Sequence, residues 1–255
     1  MPGDNRLKII LIIVAVSIIA ALSMDPIAQD PGYHNFADRR GTLNIPNFYN
    51  VFSNLPFVII GVMGMRLVMS GRASGGLVEL QAVYFTFFAG VFLTGFGSGY
   101  YHYHPDNQTL LWDRLPMTIA FMALFSAIVG ENISSRIALK LFVPLLMLGI
   151  ASVVYWHVSE LKGHGDLRAY VLVQFLPVLL MPLILLLFDS RLNGNKYIWG
   201  IIAAYAVSKL LEFFDARIYS TSGMLSGHSL KHLIAAFAAF IFYRALRNRQ
   251  ILSKG

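Results

Sequence analysis

His228 and His232 stand four residues apart in Ser226-Gly227-His228-Ser229-Leu230-Lys231-His232. On a helix that spacing places both imidazoles on one face, about 5 to 6 Å apart, the separation of a chelating pair. Ser98 and His102 repeat the four-residue spacing in Gly97-Ser98-Gly99-Tyr100-Tyr101-His102. A third imidazole is thus available from a second helix, with a hydroxyl one turn away. Three neutral imidazoles and one open position describe a catalytic zinc site, whereas a structural site closes the fourth position with a protein ligand. Asp113 lies in Leu111-Trp112-Asp113-Arg114-Leu115-Pro116-Met117, across a short loop from His102. There it can take a proton from water or orient a ligand. Ser98 can donate to a developing oxyanion. The plain alternative for any one of these histidines is an interfacial residue or an interhelical hydrogen-bonding partner.

The chain has no cysteine, which excludes disulfides, thiolate zinc sites, iron–sulfur clusters and cysteine nucleophiles. Any metal must sit on His, Asp or Glu. A GxSxG elbow and a glycine-rich phosphate loop are both missing from the sequence, so Ser98 does not read as a triad nucleophile.

The elements that position these residues must be membrane helices. Of the 255 residues, 56% are hydrophobic and 13% charged, against roughly 25% charged in a soluble domain. Mean hydropathy is +0.62. A spanning helix needs about 20 predominantly apolar residues, because each amide in hydrocarbon must be hydrogen-bonded within its own segment. Eight stretches qualify, near 8–24, 48–69, 79–102, 113–131, 137–157, 168–188, 196–214 and 227–246. The expected fold class is all-α, a polytopic transmembrane bundle. The net charge of +7 is scattered between apolar runs rather than gathered into a stripe, which argues against nucleic acid as a partner.

Loop charge orients the bundle. One side collects Arg6, Lys8, Arg66, Arg72, Arg136, Lys140, Arg191, Lys196, Arg244, Arg247, Arg249 and Lys254. The other holds most of the acids, including Asp25, Asp30, Asp38, Asp106, Asp113, Glu160, Asp166, Glu212 and Asp215. The positive-inside rule then makes both termini cytoplasmic and puts all three histidines and Asp113 at outer helix ends. Residues 1–29 read as an uncleaved anchor and linker, with a cleaved signal segment as the alternative. Residues 30–255 read as one membrane domain. Glu212 and Asp215, three apart at an outer helix end, either support the site or face water. His34, His104, His157 and His164 lack chelating spacing, and the many Phe, Tyr and Met residues read as packing or interfacial belt.

Taken together, Ser98-x-x-x-His102, Asp113 in Trp-Asp-Arg-Leu-Pro-Met and His228-x-x-x-His232 resemble the alkaline ceramidase family. Asn47-Phe-Tyr-Asn50-x-x-Ser53-Asn54-Leu-Pro-Phe57 is similar to that family's first core segment. The resemblance covers about residues 30–247 and implies a seven-helix membrane amidase core, with the first span as an addition. The wider superfamily includes the adiponectin receptors. Carried over, His102, His228 and His232 match the zinc ligands, Asp113 the acid/base and Ser98 the residue that assists the oxyanion. Eukaryotic members also bind calcium through acidic residues before the first core helix, one of which is Asn47 here. The corresponding calcium oxygens in this chain would come from Asp30, Asn35, Asp38 and Asn47.

The expected function is zinc-dependent hydrolysis of the amide bond of a ceramide-like lipid drawn from the bilayer, giving a fatty acid and a sphingoid base. The rivals are a hydrolase of another lipid amide or ester, and a non-catalytic receptor-like protein with a structural zinc. A transporter would need ionisable groups along a path through the membrane, and these lie mainly at the outer end. A cysteine-free chain with cytoplasmic termini fits a bacterial inner membrane; in a eukaryote the endoplasmic reticulum or Golgi is the expected location.

Overall fold

The computed structural model of the protein describes residues 2–252. Lys254, counted above among the cytoplasmic charges, lies outside them. The described chain is helical, with two isolated β-bridges and no strand. The helices are α1 (Pro2–Ser23), α2 (Phe48–Phe52), α3 (Leu55–Met69), α4 (Gln81–Tyr103), α5 (Asn107–Asn132), α6 (Ser135–Leu161), α7 (Arg168–Leu187), α8 (Lys196–Phe213), α9 (Asp215–Ser222) and α10 (Gly227–Asn248).

Seven helical stretches are long and apolar enough to span a membrane, with α2 and α3 together forming one of them. The remaining expected span is broken. Helix α8 carries Lys196, Lys209 and Glu212 and qualifies only together with α9, from which it is bent by 73°. Helix α5 starts at Asn107, well before the expected 113, because Asp106 and Thr109 form a reciprocal capping box that satisfies orphan amides at the helix start. The apolar run 48–69 contains a break at Ser53-Asn54, where Pro56 enters the first turn of α3.

Helix α1 lies beside α7 and is otherwise lipid-facing, with only 6% of its apolar window buried. Helices α3, α4, α5 and α6 pack in sequence, and α10 packs along α8. Small residues let these helices approach. A Cβ at Gly97 would meet the Trp112 carbonyl oxygen at 2.0 Å, so a glycine beside Ser98 is what brings α4 onto the turn of α5 that carries Asp113. Similarly, a Cβ at Gly227 would lie 2.1 Å from the Leu211 oxygen, which seats the start of α10 against α8.

The two ends of the bundle differ in chemistry. At the end remote from the histidines, Arg249 makes two hydrogen bonds with Glu131, at 2.7 and 2.8 Å, and donates from Nε to the Gly75 oxygen. Tyr84 also donates to Glu131, at 2.8 Å. Both charged side chains are 1% exposed. This is a closed clasp with its hydrogen bonds made. At the other end, residues 24–47 cross over the bundle. Leu167 N–H donates to the Ile27 oxygen, Gln29 N–H to Glu160, and Arg114 to the Gln29 side chain.

Candidate metal centre and lipid cavity

The three histidines come from two helices. His102 is in the last turn of α4, His228 is the second residue of α10, and His232 follows one turn later. All three are buried. The Nε2 atom of His102 lies 3.2 Å from that of His232 and 3.3 Å from that of His228. Zinc–nitrogen distances of about 2.0–2.1 Å make the edge of a tetrahedral site about 3.3 Å, so the nitrogen spacing fits zinc. Among the described residues, no other group of His, Cys, Asp or Glu brings three ligand atoms together.

Hydrogen bonds fix the orientation of these rings. Ser53 Oγ lies 2.8 Å from His232 Nδ1 and donates its own proton to the Asn50 oxygen. The hydroxyl therefore accepts from Nδ1–H, which leaves the Nε2 lone pair aimed inward, the tautomer a metal requires. Asn47 Nδ2 donates to the His102 carbonyl at 2.9 Å, holding the end of α4. Asn47 adopts a left-handed backbone, φ 49°, a conformation that Asn tolerates better than most residues. Asn50 Oδ1 accepts from Ser229 Oγ at 2.7 Å, tying α2 to the first turn of α10. Asn47, Asn50 and Ser53 thus each hold a histidine-bearing element.

His232, Ser98 and Asp113 line one end of a cavity of about 350 Å³, within the range of small-molecule sites. Ser98 lies beside the Asp113 carboxylate. Away from this end the walls become apolar, with Phe87, Val91, Leu124, Met181, Ile201 and Ala239. Lining residues recur every three or four positions along α4, α5, α7, α8 and α10. Lys231 and Lys209 reach the same polar end, and both pair with Glu212. Glu212 therefore supports the cavity wall instead of facing bulk water.

The calcium expectation finds no support here, because each of its side chains is already tied into the protein's own hydrogen bonds. Asp38 is held by Arg40 through the guanidinium, at 2.8 Å, and through the backbone N–H. Burial alone would raise its pKa, but the Arg40 hydrogen bonds and charge hold it below the ordinary carboxylate range. Asn35 Oδ1 accepts from Arg39 at 2.7 Å, Asp30 caps the turn Pro31–His34, and the Asn47 amide is turned by its Nδ2 toward the His102 carbonyl. A guanidinium on each of two proposed ligands repels a cation instead of leaving room for one. Of the other histidines, His34 bonds Tyr101 Oη at 2.9 Å and Asn107 at 3.0 Å, a structural role.

Two further residues touch the centre, one of them without any signal in the sequence. Phe36, in the outer segment, packs edge-on against His102 and at a tilt against His228, and Asp215 accepts from the backbone N–H of His228. Asp215 is the residue that its place at an outer helix end left as either a support or a water-facing group, and its carboxylate meets the His228 N–H; Phe36 had no such signal.

The fold and site together define a multi-pass helical membrane protein whose buried three-imidazole group, compatible with zinc, heads an apolar cavity. The Ceramidase family model matches residues 41–254, and the chain belongs to that family. Membership identifies a membrane hydrolase that acts on the amide of a ceramide-type lipid. No curated protein matches the chain.

Proposed function

We propose that this protein is a zinc-dependent amidase that cleaves ceramide-like lipids to a fatty acid and a sphingoid base. The observation that carries the reading is the convergence of three Nε2 atoms at the polar head of a deep apolar cavity that also exposes Ser98 and Asp113. His102, His228 and His232 would hold the zinc, which when bound supplies Lewis-acid activation of water and of the acyl carbonyl. Asp113 accepts the proton from the attacking water as the new C–O bond forms. It then delivers that proton to the amide nitrogen as the C–N bond breaks. Ser98 donates its hydroxyl to the oxygen that gains charge in between.

The lipid reaches the cavity sideways. Helices α7 and α8 both line it but touch sparsely, bridged by Gln174–Tyr205 at 3.4 Å and by Lys209 over Phe175. Val171 and Phe175 line the cavity and are also exposed on the outer surface of the bundle. We assign residues 30–255 as the hydrolase domain, 1–29 as anchor and linker, and both termini to the cytoplasm, with the centre at the opposite face.

The test is zinc content by mass spectrometry on purified full-length protein, paired with fatty-acid release from a labelled ceramide. His228→Ala should lose zinc and turnover together, while Asp113→Asn should keep zinc and lose turnover. Turnover retained by either variant overturns the assignment. Zinc in the wild type without ceramide turnover, but with turnover of another lipid amide or ester in the same panel, would move the substrate and keep the centre.

A further inference from the structure

We propose that Asp215 is a positioning residue that seats His228 and the Phe36 ring on the metal centre with a single carboxylate, a role that rests on the zinc reading of the three histidines. Asp215 opens α9 immediately after the 73° bend from α8. Its Oδ1 accepts from the His228 backbone N–H at 2.7 Å and its Oδ2 from the Ala37 N–H at 3.0 Å. Both oxygens are therefore committed to backbone, and to two different segments.

The first contact answers a need of α10. The amides of a helix's first turn have no partner within the helix. In α10, Ser226 supplies the usual cap by accepting from the Ser229 N–H at 3.0 Å, which leaves the His228 N–H to another acceptor. Asp215 provides it from a neighbouring helix, and a carboxylate there also suits the positive end of the helix. Gly227 makes the approach feasible, since a Cβ at that position would lie 2.9 Å from the Asp215 Cα. The residue whose amide is captured is itself a ligand, so the carboxylate sets where the His228 ring starts from.

The second contact holds Ala37, and through it the preceding side chain. The Phe36 ring is 5% exposed and lies 4.7 Å, centroid to centroid, from both His102 and His228. It thus covers two of the three imidazoles. Next to it is a second hollow of about 290 Å³, walled in part by Asn35, Phe36, Asp215 and His228, which shares Tyr33 and Glu212 with the lipid cavity. His228 already borders that hollow, and displacing Phe36, which packs against His102, would extend the hollow to that second imidazole. One carboxylate therefore bears both on the placement of a ligand and on the shielding of His102 from that hollow.

The test uses full-length protein in detergent, with zinc affinity measured by chelator competition and the visible absorption spectrum of the cobalt(II)-loaded protein as a report of ligand geometry. Asp215→Ala should weaken zinc roughly 10- to 100-fold, as loss of groups that orient metal ligands does, and should alter the cobalt bands. Asp215→Asn, which keeps one acceptor oxygen, should fall between. Phe36→Ala should speed zinc release to the chelator, and Phe36→Leu should restore it toward wild type. The Asn and Phe36 variants carry the test if the Ala variant does not fold. Zinc affinity within twofold of wild type and an unchanged cobalt spectrum in Asp215→Ala of wild-type helicity would sink the Asp215 assignment alone. A wild type that binds no zinc would instead remove the reading beneath it.

Discussion

Ser53→Ala should weaken zinc binding about 10- to 100-fold while leaving the fold intact. The reasoning begins with a buried proton. His232 Nδ1 and Ser53 Oγ are 2.8 Å apart, and the hydroxyl passes its own proton to the Asn50 oxygen. Removing the hydroxyl gives the ring two choices. It can keep Nε2 as the ligand and leave Nδ1–H buried without an acceptor, at about 1–3 kcal/mol. Alternatively it can move its proton to Nε2 and cease to be a ligand. Either way the bound state is penalised relative to the free state, and each 1.4 kcal/mol is about tenfold in affinity. The range matches the 10- to 100-fold typical of losing the partner of a metal-bound histidine. Chelator competition at neutral pH measures it directly, with Ser53→Thr as the control that keeps a hydroxyl and should stay within a few-fold of wild type. An alanine variant that holds zinc within twofold of wild type would show that packing alone fixes the ring, and the hydrogen-bond argument would fail.

Other consequences can be checked on the same preparation. Glu131→Gln leaves Arg249 buried without its counter-charge, so it should cost about 3–5 kcal/mol and lower the unfolding temperature by about 6–20 °C; the double change with Arg249→Met should recover part of that, and a loss under 2 °C in the single variant would contradict the clasp. Gly97→Ala forces a Cβ against the Trp112 oxygen; an overpacking cost of about 1–3 kcal/mol should come with a fall in turnover but little loss of zinc, seen by assaying both. Asp166, between α6 and α7, is held by Arg168 and its pKa is lowered to about 2. Its stabilisation is therefore present above pH 4 and lost as pH falls from about 4 to 2, so thermal unfolding should be more acid-sensitive in wild type than in Asp166→Asn across that window.

The helical class and the convergence of the three histidines were legible because each rests on a local pattern. Apolar runs of spanning length declare membrane helices, and a four-residue spacing on a helix declares a shared face. His102, His228 and His232 needed only those two facts and a common side of the membrane. The bend between α8 and α9 was less legible, because Phe214 carries no breaker signal and the apolar run ends in charged residues at the same point. The calcium set misled for a different reason. Asp38 and Asn35 are cation-ligand residue types, but their oxygens are taken by Arg40 and Arg39, two to four residues along the chain. Composition counts donors; it does not say whether a neighbouring guanidinium reaches them first. Phe36 and Ser53 act through contacts made across long stretches of chain, and no spacing rule reaches that far.

The shape of the cavity bears on why such chemistry belongs inside a membrane protein. Its walls run from Ser98 to Phe87 on α4, from Asp113 to Leu124 on α5 and from Tyr170 to Met181 on α7. Each stretch is three helical turns, about 16 Å at 1.5 Å per residue, close to half of the roughly 30 Å hydrocarbon core. On the proposed reading, a lipid chain in the cavity would therefore occupy the same depth that it occupies in one leaflet, with its amide at the level of the histidines. A chain of a dozen methylenes raised into water would cost about 10 kcal/mol at 0.8 kcal/mol each, more than a binding site of this size readily returns. A sideways step between α7 and α8 avoids that cost, since the chain exchanges one apolar surrounding for another. The polar work is then confined to the end where Asp113, Ser98 and the three imidazoles stand, while the Glu131–Arg249 clasp closes the other end with every charge paired.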